Sequence, residues 1–186
     1  MNKNTINQLE IEDVLVKETY AKDATRVLFA IRAMKNYYTP KILERLIDIV
    51  NNENDTNKKL QAIYSLSTKP PIKVIEQTLI KQLFNKSEAI RSAAAKVLVE
   101  YGERNLSEMY QILNKNETPI ETKKTIIWLI GRIGTKESSE FLKNLKEQVK
   151  AKDILEYIND ALNNLRKKIV KISLEELMEH YRERYK

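Results

Sequence analysis

Residues 87–98, SEAIRSAAAKVL, carry the pattern that decides the fold. Ile90, Ala94, Val97 and Leu98 recur three and four positions apart, the spacing of one apolar face of an α-helix. Two positions of this stretch echo along the whole chain at 32-residue intervals (62 − 30, 94 − 62, 126 − 94, 158 − 126). Ala30, Ala62, Ala94, Ile126 and Ile158 form one series, and Met34, Leu66, Leu98, Ile130 and Leu162 form the other, four residues later. A period of this size marks a repeat architecture, in which each unit buries its apolar face against its neighbours.

Working outward, the echo defines five helical stretches: 23–34, 54–66, 87–98, 117–130 and 152–165. Asp23, Asp55 and Ser87 recur in register as N-caps, because short oxygen-bearing side chains accept free backbone N–H groups. In the fourth unit Thr118-Pro119-Ile120-Glu121 reads as a capping box with proline at the first helical position. Between these stretches lie second helices at 40–50, 71–84, 106–114 and 138–149. Prolines at 40, 70 and 71 and glycines at 102 and 134 punctuate the joints. The expected fold is therefore all-α, a single repeat domain over residues 1–186 of about five antiparallel helix pairs.

Two segments fall outside the echo. Residues 5–20 predict an N-terminal cap helix with Ile6, Leu9, Val16 and Tyr20 on its buried stripe. Residues 166–186 predict a C-terminal amphipathic cap helix, introduced by the capping box Ser173-Leu174-Glu175-Glu176, with Leu174, Leu177, Met178, Tyr181 and Tyr185 along one side.

Composition agrees with this class. The 186 residues are 42% hydrophobic and 32% charged, with three glycines, four prolines and no cysteine. The lack of cysteine excludes disulfides and thiolate metal sites. The polar, acidic start of the chain lacks the apolar core of a secretory signal, and no apolar run has the length of a membrane span, so a cytoplasmic protein without membrane association is expected. A net charge of +7 raises the expectation of a polyanionic partner.

Residues 79–103, LIKQLFNKSEAIRSAAAKVLVEYGE, resemble the HEAT-like repeat of bacterial and archaeal proteins through Ile90-Arg91, Ala94-Ala95 and Leu98 followed four positions on by Gly102. The fourth unit keeps a similar ending, Leu129-Ile130-Gly131-Arg132-Ile133-Gly134, whereas the first, second and fifth units depart from the pattern. The resemblance spans about residues 21–165 and implies a right-handed α-α superhelix, an armadillo-like solenoid. It also implies that Arg91 ties one repeat to the next through a polar ladder. The family includes scaffolds, regulators, subunits of pigment-attaching lyases and a group of DNA glycosylases.

Catalytic material is thin. His180 is the sole histidine, no phosphate-cradling glycine motif is present, and the acidic clusters Glu10, Glu12, Asp13 and Glu175, Glu176, Glu179 fall in first turns of predicted helices, where the helix dipole favours negative charge. The chain reads as a non-catalytic protein without metal or cofactor. The informative constellation follows from repeat geometry. At 100° per residue, the position two after the core alanine lies about 200° round the helix and faces away from the core. That column is Arg32, Tyr64, Lys96, Trp128 and Asp160. One flank adds Phe29, Gln61, Ala93, Thr125 and Tyr157; the other adds Asn36, Thr68, Glu100, Arg132 and Asn164. Aromatic and basic side chains are the types concentrated at protein-binding hot spots, and they also suit bases stacked on rings beside phosphate-binding cations. Arg32, Tyr64, Lys96, Trp128 and Arg132 are thus the expected contacts of a scaffold binding a protein partner along a concave face. Nucleic acid is the alternative ligand. Similarity to the glycosylase group would rest on Trp128, Asp160 and Arg132. A further basic column, Lys59, Arg91 and Lys123 with Lys58 and Lys124, borders the core.

Overall fold

Every stretch with helical periodicity forms a helix. The computed structural model describes the backbone of residues 8–184 and all side chains among them except those of residues 8, 168–170, 172–174, 176–177 and 180–184. Ten α-helices and no strand occur among the described residues: α1 (Gln8–Glu18), α2 (Ala24–Ala33), α3 (Pro40–Asn52), α4 (Thr56–Ser67), α5 (Lys73–Gln82), α6 (Glu88–Glu100), α7 (Leu106–Leu113), α8 (Ile120–Ile133), α9 (Lys136–Gln148) and α10 (Lys152–Arg184). They fall into two compact units, Met1–Leu98 and Val99–Lys186.

In the first unit α1 packs on α2 and α3, α2 on α4, and α3 on α4 and α5. The 32-residue series supplies the core. Ala30, Ala62 and Ala94 are at most 2% exposed, and Met34, Leu66 and Leu98 are fully buried. Small residues let α2 and α4 approach closely, and burying each large apolar neighbour contributes roughly 1.5–3 kcal/mol. A polar ladder reinforces this contact. Ser65 Oγ donates to the Ile31 carbonyl at 2.8 Å, and Thr68 Oγ1 donates to that of Lys35 at 3.0 Å. The Lys69 ammonium, 5% exposed, donates to the carbonyls of Met34, Lys35 and Tyr37. These carbonyls lie at the end of α2 and the 3₁₀ turn that extends it, where Met34 also accepts from the Tyr37 N–H, so residues at and just past the end of α4 cap α2.

In the second unit α8 packs on α7, α9 and α10, and α9 packs on α10. Tyr110 of α7 stacks on Phe141 of α9 with ring centroids 4.0 Å apart. Ile126, Ile130 and Ile158 are fully buried. Gly131 permits the α8–α10 contact: a Cβ there would stand 2.7 Å from Ala161 Cβ and 2.8 Å from Ala161 Cα. Gly102 and Gly134 adopt left-handed backbone, φ 77° and 75°, and Gly134 ends α8 as expected for a glycine following a helix.

Several local expectations are corrected. Leu9 and Tyr20 are 65% and 68% exposed, so they do not form the buried stripe of α1; Ile6 lies outside the described residues. The inward face carries Glu12 and Thr19 because α3 presents polar groups to it. Glu12 accepts from Thr39 Oγ1 at 2.8 Å, Thr19 Oγ1 accepts from Arg45 Nε at 2.8 Å, and the Arg45 guanidinium lies 3.9 Å above the Tyr20 ring. Asp13 pairs with Lys41. These carboxylates therefore hold α3 rather than merely complementing the dipole of α1.

Asp23 and Asp55 cap α2 and α4 as expected. At α6 the Ser87 carbonyl accepts from the Arg91 N–H at 3.1 Å, and Asn85 Oδ1 accepts from the Ser87 N–H at 3.0 Å. The capping box at Thr118 is absent. Pro119 occupies the N-cap position, and the buried Thr118 hydroxyl donates backwards to the Ile112 carbonyl at 2.7 Å. No separate helix starts at Ser173, since α10 runs unbroken from Lys152 to Arg184. The side chains of Leu174, Leu177, His180, Tyr181 and Tyr185 lie outside the described residues.

Candidate interaction surface

In the first unit the position two after the core alanine is exposed on every helix that carries it: Arg32 on α2, Tyr64 on α4 and Lys96 on α6. The Tyr64 ring is half-exposed at 49%, and Phe29, one turn before Ala33 on α2, is 73% exposed. Both rings present apolar area to solvent, which carries meaning when it lies beside cations rather than singly. The flank reading fails at Ala93, which is 2% exposed and belongs to the core.

In the second unit Trp128 and Arg132 lie one turn apart on α8, with the guanidinium carbon 6.0 Å from the indole centroid, the outer limit of a cation–π contact. Arg132 is exposed and Trp128 is intermediate, so the indole leans part of its surface against the protein. On α10 Asp160 is exposed and Tyr157 is 43% exposed. Lys124 of α8 reaches over the Tyr157 ring, its ammonium 5.5 Å from the centroid, and pairs with Glu121 at 3.2 Å and Asp153 at 3.3 Å. Hydrogen bonding to Glu121 is the foremost cause that raises the Lys124 pKa above the usual lysine value, which keeps the charge in place. Linear spacing put Lys124 and Tyr157 in different columns; the packing of α8 on α10 brings them together, and no sequence signal announces that.

The basic column separates into distinct roles. Arg91 is buried, and its Nη1 donates to the carbonyls of Asn85 and Lys86 at 2.9 Å each, so it anchors the α5–α6 turn of its own repeat. A tie between successive 32-residue units is made at Ser65, Thr68 and Lys69. Lys58 pairs with Glu53 at 3.5 Å. Desolvation lowers the pKa of Lys59, which is half-buried at the core edge. Sequence reading missed Lys69, whose only signal was a lysine where the resembling repeats carry glycine.

Among the described residues no group of three His, Cys, Asp or Glu side chains is placed to hold a metal ion, and no helix is long and apolar enough to cross a membrane. Compared with known proteins, the chain matches no family model and no curated sequence.

Proposed function

We propose that this chain is a non-catalytic interaction module, HEAT-like in the stacking of helix pairs within each unit, that holds a protein partner on the exposed face of its even-numbered helices. The contacts are Arg32, Tyr64 and Lys96 on the first unit and Trp128 and Arg132 on the second. The observation that carries the reading is that the 32-residue echo reappears in burial. Nine of the ten positions on the two series are buried, Leu162 being half-buried, and the positions two after the first series carry rings and cations that reach solvent at Arg32, Tyr64, Lys96 and Trp128. Contact of helices with the next but one, seen as α2 on α4 and α8 on α10, supports the solenoid arrangement.

The test is a comparison of wild type with a Tyr64→Ala, Trp128→Ala double variant. The variant is expected to fold and to lose the proteins that wild type retains on an affinity column. Unfolding of the variant would assign the rings to the core and remove the basis of the reading.

The ring–cation pairs Trp128–Arg132 and Tyr157–Lys124, with the net charge of +7, favour single-stranded nucleic acid as the second reading. Titration of short DNA and RNA against Trp128 fluorescence decides it. Quenching that weakens steeply with salt supports nucleic acid; an unchanged signal at low salt discards it. A glycosylase-like activity built on Trp128, Asp160 and Arg132 is tested by base excision from alkylated DNA.

A further inference from the structure

A cleft of about 430 Å³ opens between α9 and α10, within the second unit and apart from the face described above. Ser139, Lys143 and Lys146 line it from α9, and Asn159, Asn163 and Arg166 line it from α10. Each trio falls at i, i+4 and i+7, so each helix turns one complete stripe into the cleft. Round α10, Tyr157 of the flank lies roughly 160° from Asn159, and Asp160 of the exposed column lies roughly 100° from Asn159 and 60° from Asn163.

The composition of the two stripes is unusual for a groove between packed helices. Only Leu162 contributes an apolar side chain, and no carboxylate is present in the lining. Among the described residues Lys143, Lys146 and Arg166 make no ion pair, although acidic side chains are plentiful elsewhere on both helices. Three uncompensated cations facing one cleft repel one another, a cost that a bound anion relieves. The cleft also offers two carboxamides and a hydroxyl as neutral donors. An arginine fork, two ammonium groups and these donors match the oxygens of linked phosphates. A seven-residue stripe runs roughly 10 Å along the helix axis, enough for more than one phosphate. No ring lines the cleft, so nothing there stacks a base.

We propose that the α9–α10 cleft is a binding site for a compact polyphosphate, with Arg166, Lys143 and Lys146 as the charged contacts and Ser139, Asn159 and Asn163 as neutral donors. This site is independent of the partner-binding face. Ligand binding to the folded state alone also raises the melting temperature.

The test is calorimetric titration of the full chain with inorganic tripolyphosphate at low salt. Binding near one per chain is expected, weakened at least about tenfold by Arg166→Gln or Lys143→Gln, each at an exposed position that leaves the fold intact. Lys73→Gln, which removes the same charge from an exposed position of α5 in the first unit, is expected to bind as wild type. Adenosine triphosphate and tripolyphosphate distinguish the source of the phosphates: equal affinity assigns free polyphosphate, and tighter binding of the nucleotide assigns nucleotides. The proposal is overturned if tripolyphosphate does not bind, if Lys73→Gln weakens binding as much as Arg166→Gln, or if a single-stranded RNA binds while tripolyphosphate does not.

Discussion

Lys69 holds a charge in a place where charge is costly. Burial lowers its pKa from the usual lysine value, while three carbonyls at the end of the α2 segment accept its protons. Lys69→Met removes one donor from each carbonyl, but Met34 keeps the Tyr37 N–H and Lys35 keeps the Thr68 hydroxyl, so the cost is that of one unpaired buried acceptor, about 1–3 kcal/mol. A loss of about 2 kcal/mol in urea denaturation is the expected outcome, with Lys69→Arg intermediate; an unchanged midpoint would show that water substitutes freely for the ammonium. Glu53 makes a pH-dependent contribution. Its carboxylate accepts from the backbone N–H of Asp55 and of Asn54, which lowers its pKa, the Asp55 bond foremost. A lowered carboxylate pKa stabilises fully above the unfolded value, about 4.3, and that contribution is lost as pH falls through the folded value. Glu53→Gln should therefore lower the melting temperature modestly near pH 7 and flatten the acid side of the profile, the two proteins converging as pH falls through the folded value.

At the level of elements, small residues set how closely helices approach. Gly131→Ala would gain helix propensity of roughly 0.8–1 kcal/mol, but the new Cβ meets Ala161 on α10 at 2.7 Å and backbone at 2.8 Å. Backbone cannot swing aside, so sterics win, and a net destabilisation of about 1–2 kcal/mol is expected. A rise in stability would mean that α8 and α10 separate without cost. Ala62 of α4, fully buried where α4 packs on α2 and α3, makes the same point in the first unit. Ala62→Leu overfills that contact and should cost roughly 1–3 kcal/mol by chemical denaturation. Element ends were the least legible feature in the sequence. Thr118-Pro119-Ile120-Glu121 has the residues of a capping box, yet the Thr118 hydroxyl donates back to the Ile112 carbonyl, which also accepts from the Lys115 N–H, so it reinforces the end of α7. The capping box at Ser173 fails for another reason: a helix already running through that position has all its N–H groups paired, so a cap has nothing to satisfy.

At the scale of the whole molecule, the same period organises both core and surface, and the two respond differently to substitution. Arg32→Ala with Tyr64→Ala removes exposed side chains and should leave stability within about 0.5 kcal/mol per site, measured by thermal melting, whereas the buried substitutions above do not. A large loss would mean that Tyr64 is a packing residue. The sequence by itself determined the all-helical class, the alanine and isoleucine series at the core and the side of α2, α4 and α6 that meets water. Periodicity encodes these because burial follows helix angle, and helix angle follows residue count. Only the tertiary structure decided which polar groups are buried. Glu12, Thr19, Lys69 and Arg91 are types that composition assigns to the surface, but carbonyl ends and turns from other segments needed partners at those points. The Lys124–Tyr157 pair and the basic α9–α10 cleft likewise arise from residues distant in the chain. Their meeting depends on how helices pack in space, which no one-dimensional spacing records.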